Sequence, residues 1–274
     1  MSTAQIATPA LPGAGLDATK MPGHWLLARA GKRVLRPGGR ELTREMLDAL
    51  AVGPGDAVVE LAPGLGITAR ETLAHKPASY VAVERDQNAA DGLRRWLVGP
   101  GREVRQGTAE RTGLPDDAAT VVYGEAMLTM QPQETKERIV REAYRLLTPG
   151  GRYGIHELCL LPDTLSAEHQ AEILTALAGT IRVGARPLTV AAWRDLLTSQ
   201  GFVITAERMA PMHLLEPRRL IQDEGLRRAL KITFNILRDP VARRRIWAMR
   251  RAFRQYRQHL GAISLVATRP AEAA

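Results

Sequence analysis

Val58-Val-Glu-Leu-Ala-Pro-Gly-Leu-Gly-Ile-Thr-Ala69 is the stretch that decides the fold. A short apolar run closes on an acid and enters a Pro/Gly turn. It then opens into helical spacing at Thr68, Arg70, Glu71, Leu73 and Ala74. Such a stretch reads as strand, tight turn and helix. Gly64 and Gly66 allow the backbone to turn sharply and leave room for a ligand against bare amides. The helix that follows aims its unpaired N–H groups and partial positive charge at the same point.

Gly64-x-Gly66-x-x-Ala69 satisfies the dinucleotide fingerprint in its Ala-ending form. Glu84 closes the next apolar run, Tyr80-Val-Ala-Val83, and lies 20 residues after Gly64. That is the offset of a ribose-binding carboxylate. Together they imply an adenosine-containing cofactor without deciding which.

The rest of the chain extends this alternation. Residues 1–19, rich in Ala, Pro, Gly and Thr, read as a mobile tail ahead of one domain over 20–274. Helices are expected across 24–51, interrupted by the turn Arg36-Pro37-Gly38-Gly39. After the strand ending at Glu84 come a helix over 88–98 and a strand over 103–106. A strand over 120–123, a helix over 134–147 and a strand over 152–158 follow. Further helices are expected at 166–178 and at 189–200, the latter with Thr189 as N-cap and Gly201 just past its end. Strands at 202–208 and 262–268 complete the pattern. Strands alternating with helices predict a mostly parallel sheet covered on both faces, with ligands beyond the carboxyl ends of the strands.

Composition bounds the function. At 274 residues, 45% apolar and 24% charged, the chain suits a soluble globular protein with a substantial core. No apolar run approaches a membrane span and no secretory leader is apparent, so a cytoplasmic location is expected. Cys159 is the single cysteine, which excludes an internal disulfide and a Cys-based metal cluster. The net charge of +9 comes from 33 arginines and five lysines against 29 acids. Between 217 and 258 there are 13 basic residues against three acids, a net of +10, so the remainder carries −1.

Five features occur in one order: Glu60-Leu-Ala-Pro-Gly-Leu-Gly66, Glu84, Gly107-Thr-Ala109, Tyr123-Gly-Glu-Ala-Met127 and Arg145-Leu-Leu-Thr-Pro-Gly-Gly151. As an ordered set they resemble the class I S-adenosylmethionine-dependent methyltransferases, in the branch of quinone-biosynthesis and sterol-type small-molecule enzymes. The resemblance covers Leu42 to Arg208 and the last strand. It implies a Rossmann-like, doubly wound seven-stranded α/β sheet with the last strand antiparallel. It also implies S-adenosylmethionine across the strand ends and no metal. Glu60, Ala62, Gly64 and Gly66 are then expected at the methionine end, and Glu84 with Arg85 at the ribose. Thr108 and Ala109 would flank the adenine, and Glu125, Ala126 and Met127 would lie beside the transferable methyl. Two positions depart from the family: Ala62 replaces the first motif glycine, and Thr108 replaces the usual adenine-binding aspartate.

A nicotinamide-dependent dehydrogenase shares the first half of this pattern. The short-chain type needs Tyr-x-x-x-Lys, and no tyrosine here has a lysine four residues on. A third reading is a non-catalytic nucleotide-binding domain with a basic partner-binding arm. For proton transfer, His156 after the fifth strand and Glu125 are the catalytic candidates. His24, Trp25, Met127 and His213 are candidates on the acceptor side. In the basic segment, Leu226, Leu230, Phe234 and Leu237 form one helical stripe, and Ile246, Met249, Phe253, Tyr256 and Leu260 form another. Both predict a helical cap over 211–260, inserted before the last strand, with its stripes on the pocket and arginines outside. An anionic membrane surface is an alternative partner for 217–258. Nucleic acid is disfavoured, since no Asn/Asp-Pro-Pro-Tyr/Phe run is present.

Overall fold

In a computed structural model, which describes residues 17–182 and 184–271, the strand of the opening stretch lies inside an eight-stranded sheet. That strand, β1 (Ala57–Leu61), is flanked by β2 (Ser79–Glu84) and β4 (Ala119–Glu125). Its buried run of Val and Leu is what a strand covered on both faces requires. The order is β3-β2-β1-β4-β5-β8-β7, where β3 is Arg102–Gln106, β5 Leu147–Leu160, β7 Val203–Pro211 and β8 Leu260–Thr268. Pairings from β3 through β5 are parallel, and β8 runs antiparallel to both β5 and β7. The last strand is therefore antiparallel, as expected. The eighth strand is an addition: β6 (Leu188–Thr189) pairs with Cys159 and Leu160 at the end of β5. Two residues carry no readable alternation, so the sequence pattern missed it.

Helices cover both faces. On one, α5 (Gln133–Leu146) and α7 (Val190–Thr198) pack Val140, Leu146 and Trp193 against Tyr153 and Ile155. On the other, α2 (Gly39–Leu50) and α4 (Gln87–Arg94) bring Met46, Leu50 and Leu93 to Tyr80 and Val121. Local chemistry sets several starts. Asp86 caps α4 by accepting from Ala89 N–H, and Thr189 caps α7 by accepting from Ala192 N–H. The first helix, α1 (Gly23–Ala30), stops sooner than expected, because Gly31 turns at φ 108°. The tail expected over 1–19 lies outside the described residues as far as 16; Lys20 and Met21 N–H groups donate to Asp17 O in a turn.

A third core joins α1 to α6 (Ala167–Ile181) and α10 (Pro240–Gln255), which follows α8 (Pro217–Glu224) and α9 (Leu226–Arg238) between β7 and β8. The second stripe is buried as expected, with Ile246, Met249, Phe253, Tyr256 and Leu260 all under 9% exposed. Each such burial stabilises by roughly 1.5–3 kcal/mol. The first stripe is not. Leu226, Leu230, Phe234 and Leu237 are 60, 62, 57 and 50% exposed. α9 instead turns Ala229 and Ile232 inward, a second apolar arc that the longer, larger side chains obscured in sequence. No helix among the described residues is long and apolar enough to cross a membrane.

Candidate functional site

At the carboxyl end of β1, Ala62 turns the chain at φ 55°, held by its N–H donating to Val83 O at 2.8 Å. Ala126, at the end of β4, sits at φ 51° and donates to His156 O at 2.7 Å. Left-handed backbone costs an alanine roughly 1–2 kcal/mol, so two such residues side by side mark a shaped crevice. It lies where the strand order reverses, between β1 and β4. Gly64 follows at φ 57°, and a Cβ there would meet nothing closer than Trp25 at 4.0 Å. Bare backbone therefore faces open space. Gly66 faces the other way. A Cβ on it would lie 2.5 Å from Leu93 Cδ2 and 2.6 Å from Trp96, so it serves packing under α3 (Ile67–Ala74) and does not line the cavity.

Two carboxylates frame the crevice. Glu84 accepts from Gly64 N–H and Asp86 N–H, both at 2.9 Å, which fixes its carboxylate at the cavity edge. Burial raises its pKa, opposed by those same N–H donors. Glu60 lies deeper, where the hydroxyls of Tyr80 and Tyr123 donate to its Oε2. Burial pushes its pKa up to about 7 against the pull of those phenols.

Glu125 gathers donors from four segments of the chain. Arg36 Nη1 lies 2.6 Å from Oε2, Thr43 donates to Oε1 at 2.5 Å, and Thr68 donates to Oε2. His156 Nδ1 lies 2.9 Å from Oε1. Burial alone would raise the pKa of Glu125, but Arg36 and His156 outweigh it and hold it down at about 2. A carboxylate so saturated is a poor base, which counts against the expected catalytic role. His156 departs from expectation too. Its ring is wholly buried and absent from the cavity lining, and Gly38 N–H donates to Nε2 at 3.1 Å. With Nε2 accepting, the geometry assigns the proton to Nδ1, donated to Glu125. Burial lowers the His156 pKa despite that carboxylate, so the ring is a neutral post and not a base at the acceptor.

The cavity occupies about 610 Å³. Glu60, Ala62, Gly64, Glu84, Arg85, Thr108, Ala109, Glu125 and Ala126 line one part. Trp25, Leu27, Met130, Leu158, Met249 and Phe253 line an apolar continuation under the cap, together with His24 and Met127. The His24 ring lies tilted against Trp25 with centroids 4.6 Å apart, and burial pushes its pKa down to about 4. His213 is exposed and lies outside this cavity, on a surface pocket beside Arg254 and Arg257; its neighbours Met212 and Leu214 point inward instead.

Sequence reasoning missed two residues. Arg36 lines the cavity with its Nε and Nη2 buried and without a partner. One arginine among 33, inside a Pro/Gly turn, gave no signal. Glu157 is wholly buried and accepts from the N–H groups of Met127, Leu128 and Thr129 at 2.8–3.0 Å. Alternation along β5 sends His156 to one loop of the site and Glu157 to another.

The residues fit S-adenosylmethionine. Two nitrogens of the Arg36 guanidinium are buried without a partner, Gly64 leaves room for a close ligand, and the Glu84 carboxylate stands at the cavity edge. Comparison with known proteins agrees. Residues 59–155 match the family described as Methyltransferase domain. An uncharacterised protein of Haemophilus influenzae is 31% identical over 225 residues, covering 79% of this chain and 86% of its own. The structure of Haemonchus contortus phosphoethanolamine N-methyltransferase 2 with S-adenosyl-L-methionine superposes with a TM-score of 0.66 at 15% identity, over 90% of this chain and 56% of that one. Geranyl diphosphate methyltransferase, with geranyl diphosphate and sinefungin, superposes with a TM-score of 0.60 at 14% identity, over 83% and 76%. The methyltransferase reading thus holds over the dehydrogenase one, and residues 59–155 of this chain form a methyltransferase domain.

Proposed function

We propose that this methyltransferase acts on a small, largely apolar acceptor held under the cap. The observation that carries this is the continuity of one cavity from Glu84 at its polar end to Met249 and Phe253 at its apolar end. S-adenosylmethionine supplies a methyl group activated on a sulfonium. In this reading Glu84 binds the ribose hydroxyls, Thr108 and Ala109 flank the adenine, and Arg36 takes the methionine carboxylate. Glu125 orients Arg36, and His156 holds Glu125 in register from behind. Met127 and Trp25 exclude water beside the reacting centre, which favours in-line transfer. His24, kept neutral by burial, stands beside Trp25 at the acceptor end of the cavity and orients the acceptor. We read the enzyme as cytoplasmic and in peripheral contact with anionic membrane through 217–258.

The test is transfer of radiolabelled methyl from S-adenosylmethionine to a panel of phenols, amines and carboxylates, each with and without an apolar tail. Transfer confined to the tailed acceptors is expected. Preference for small polar acceptors such as phosphoethanolamine or a nucleoside would overturn the reading.

A further inference from the structure

Six of the nine large apolar side chains exposed among the described residues lie between 217 and 258, the segment that also carries the chain's net positive charge. Four of them, Leu226, Leu230, Phe234 and Leu237, share one arc of α9 at 3.6 residues per turn. Exposed Arg227, Lys231 and Arg238 fall on the adjoining arc, while Ala229 and Ile232 take the inward side. A solvated helix keeps polar residues outward. This one presents an apolar edge bordered by cations.

We propose that α9 docks the enzyme on an anionic lipid bilayer, sinking the Leu226–Leu237 edge into the headgroup boundary while its cations meet lipid phosphates. This deepens, and rests on, the reading given above of an apolar acceptor and of peripheral contact with anionic membrane through 217–258. Charge complementarity selects the occupant. A second copy of this chain would bring one net +10 segment against another. A nucleic acid would satisfy the arginines but has no use for an aliphatic edge. A bilayer with acidic headgroups satisfies both, since such helices bind through buried apolar area plus attraction to anionic lipid. The acids of this segment add little repulsion on the outside. Asp223 and Glu224 turn inward to Lys32 and the backbone of Arg33, Val34 and Arg40, and the third, Asp239, caps α10 by accepting from Val241 and Ala242 N–H and lies 3.8 Å from Arg29. The inner side of α9 also meets the site. Asn235 Nδ2 donates to Ala30 O at 3.0 Å, at the end of the helix that brings His24, Trp25 and Leu27 to the cavity. A bilayer under α9 thus lies one helix away from the acceptor chamber.

Flotation with vesicles of phosphatidylglycerol and phosphatidylcholine, and with phosphatidylcholine alone, tests this on the full chain. Wild type is expected to float with the anionic vesicles only, and salt should weaken but not abolish binding. Leu230→Ser/Phe234→Ser should bind about tenfold more weakly or worse, and Arg227→Gln/Lys231→Gln should lose the preference for anionic lipid. Neither pair touches the cofactor site, so S-adenosylhomocysteine uptake by calorimetry should stay unchanged and reports folding. No flotation of wild type, or flotation untouched by the serine pair, would overturn the proposal. So would a wild-type dimer in sedimentation that the serine pair converts to monomer. Lack of S-adenosylhomocysteine uptake by wild type would instead refute the cofactor reading, whatever the flotation result.

Discussion

Replacing Glu84 by Ala probes the site most directly. Its carboxylate accepts from the N–H groups of Gly64 and Asp86, and the same oxygens face the crevice. In the proposed cofactor complex it would gain two ribose hydroxyls. Hydrogen bonds to a charged group contribute about 1.5 kcal/mol each at the lower end. Losing two therefore removes about 3 kcal/mol, or roughly a 100-fold rise in the Kd for S-adenosylhomocysteine. Glu84→Gln should fall between, near tenfold. Its amide keeps one acceptor but sets an NH2 group against the other backbone donor, which also lowers the melting temperature. Titration calorimetry reads the Kd, and a thermal melt reads the fold. A folded Glu84→Ala protein that binds within about threefold of wild type would refute the assignment of this carboxylate to the sugar.

Two further outcomes follow from the same crevice. Ala62→Gly should raise the melting temperature by a degree or two. Relief of roughly 1–2 kcal/mol of left-handed strain exceeds the about 0.4–1 kcal/mol of added chain entropy in the unfolded state. Ala62→Val should lower it, and a lower melting temperature for Ala62→Gly would contradict a strained turn at φ 55°. Glu60, with a pKa near 7, contributes stability below the ordinary carboxylate range and loses it as pH rises through 7. An ammonium placed against it would draw that pKa down. Binding of S-adenosylhomocysteine should therefore release about half a proton at pH 7 and tighten between pH 6 and 8. Calorimetry in buffers of different ionisation enthalpy measures the release, and Glu60→Gln should abolish it.

Much of this was legible in the chain. The acids at the ends of β1 and β2, the glycine turn and the alternation of strands and helices follow from short-range patterning, and each falls where expected. What was hidden depends on long-range contact. Gly66 looks like a ligand-facing glycine until Leu93 and Trp96 are seen against it. His156 reads as a base at a strand end until the strand's pleat turns it from the cavity into Gly38 and Glu125. The exposure of Leu226 and its companions could not be read, because α9 carries two apolar arcs and spacing alone does not say which one meets the protein.

The tethering of Arg36 has a further consequence. Its stretch of chain is pinned by distant partners: Glu224 accepts from Arg33 N–H at 2.6 Å and Val34 N–H at 2.8 Å, Arg228 donates to Gly31 O at 3.2 Å, and Arg219 donates to Gly38 O. The segment that carries Arg36, the proposed partner of the cofactor carboxylate, is thus supported by residues about 190 positions away, not by the motif-bearing half alone. Swapping the insertion between homologues to change acceptor choice would disturb cofactor affinity at the same time. In this scaffold the two specificities have to be engineered as a pair.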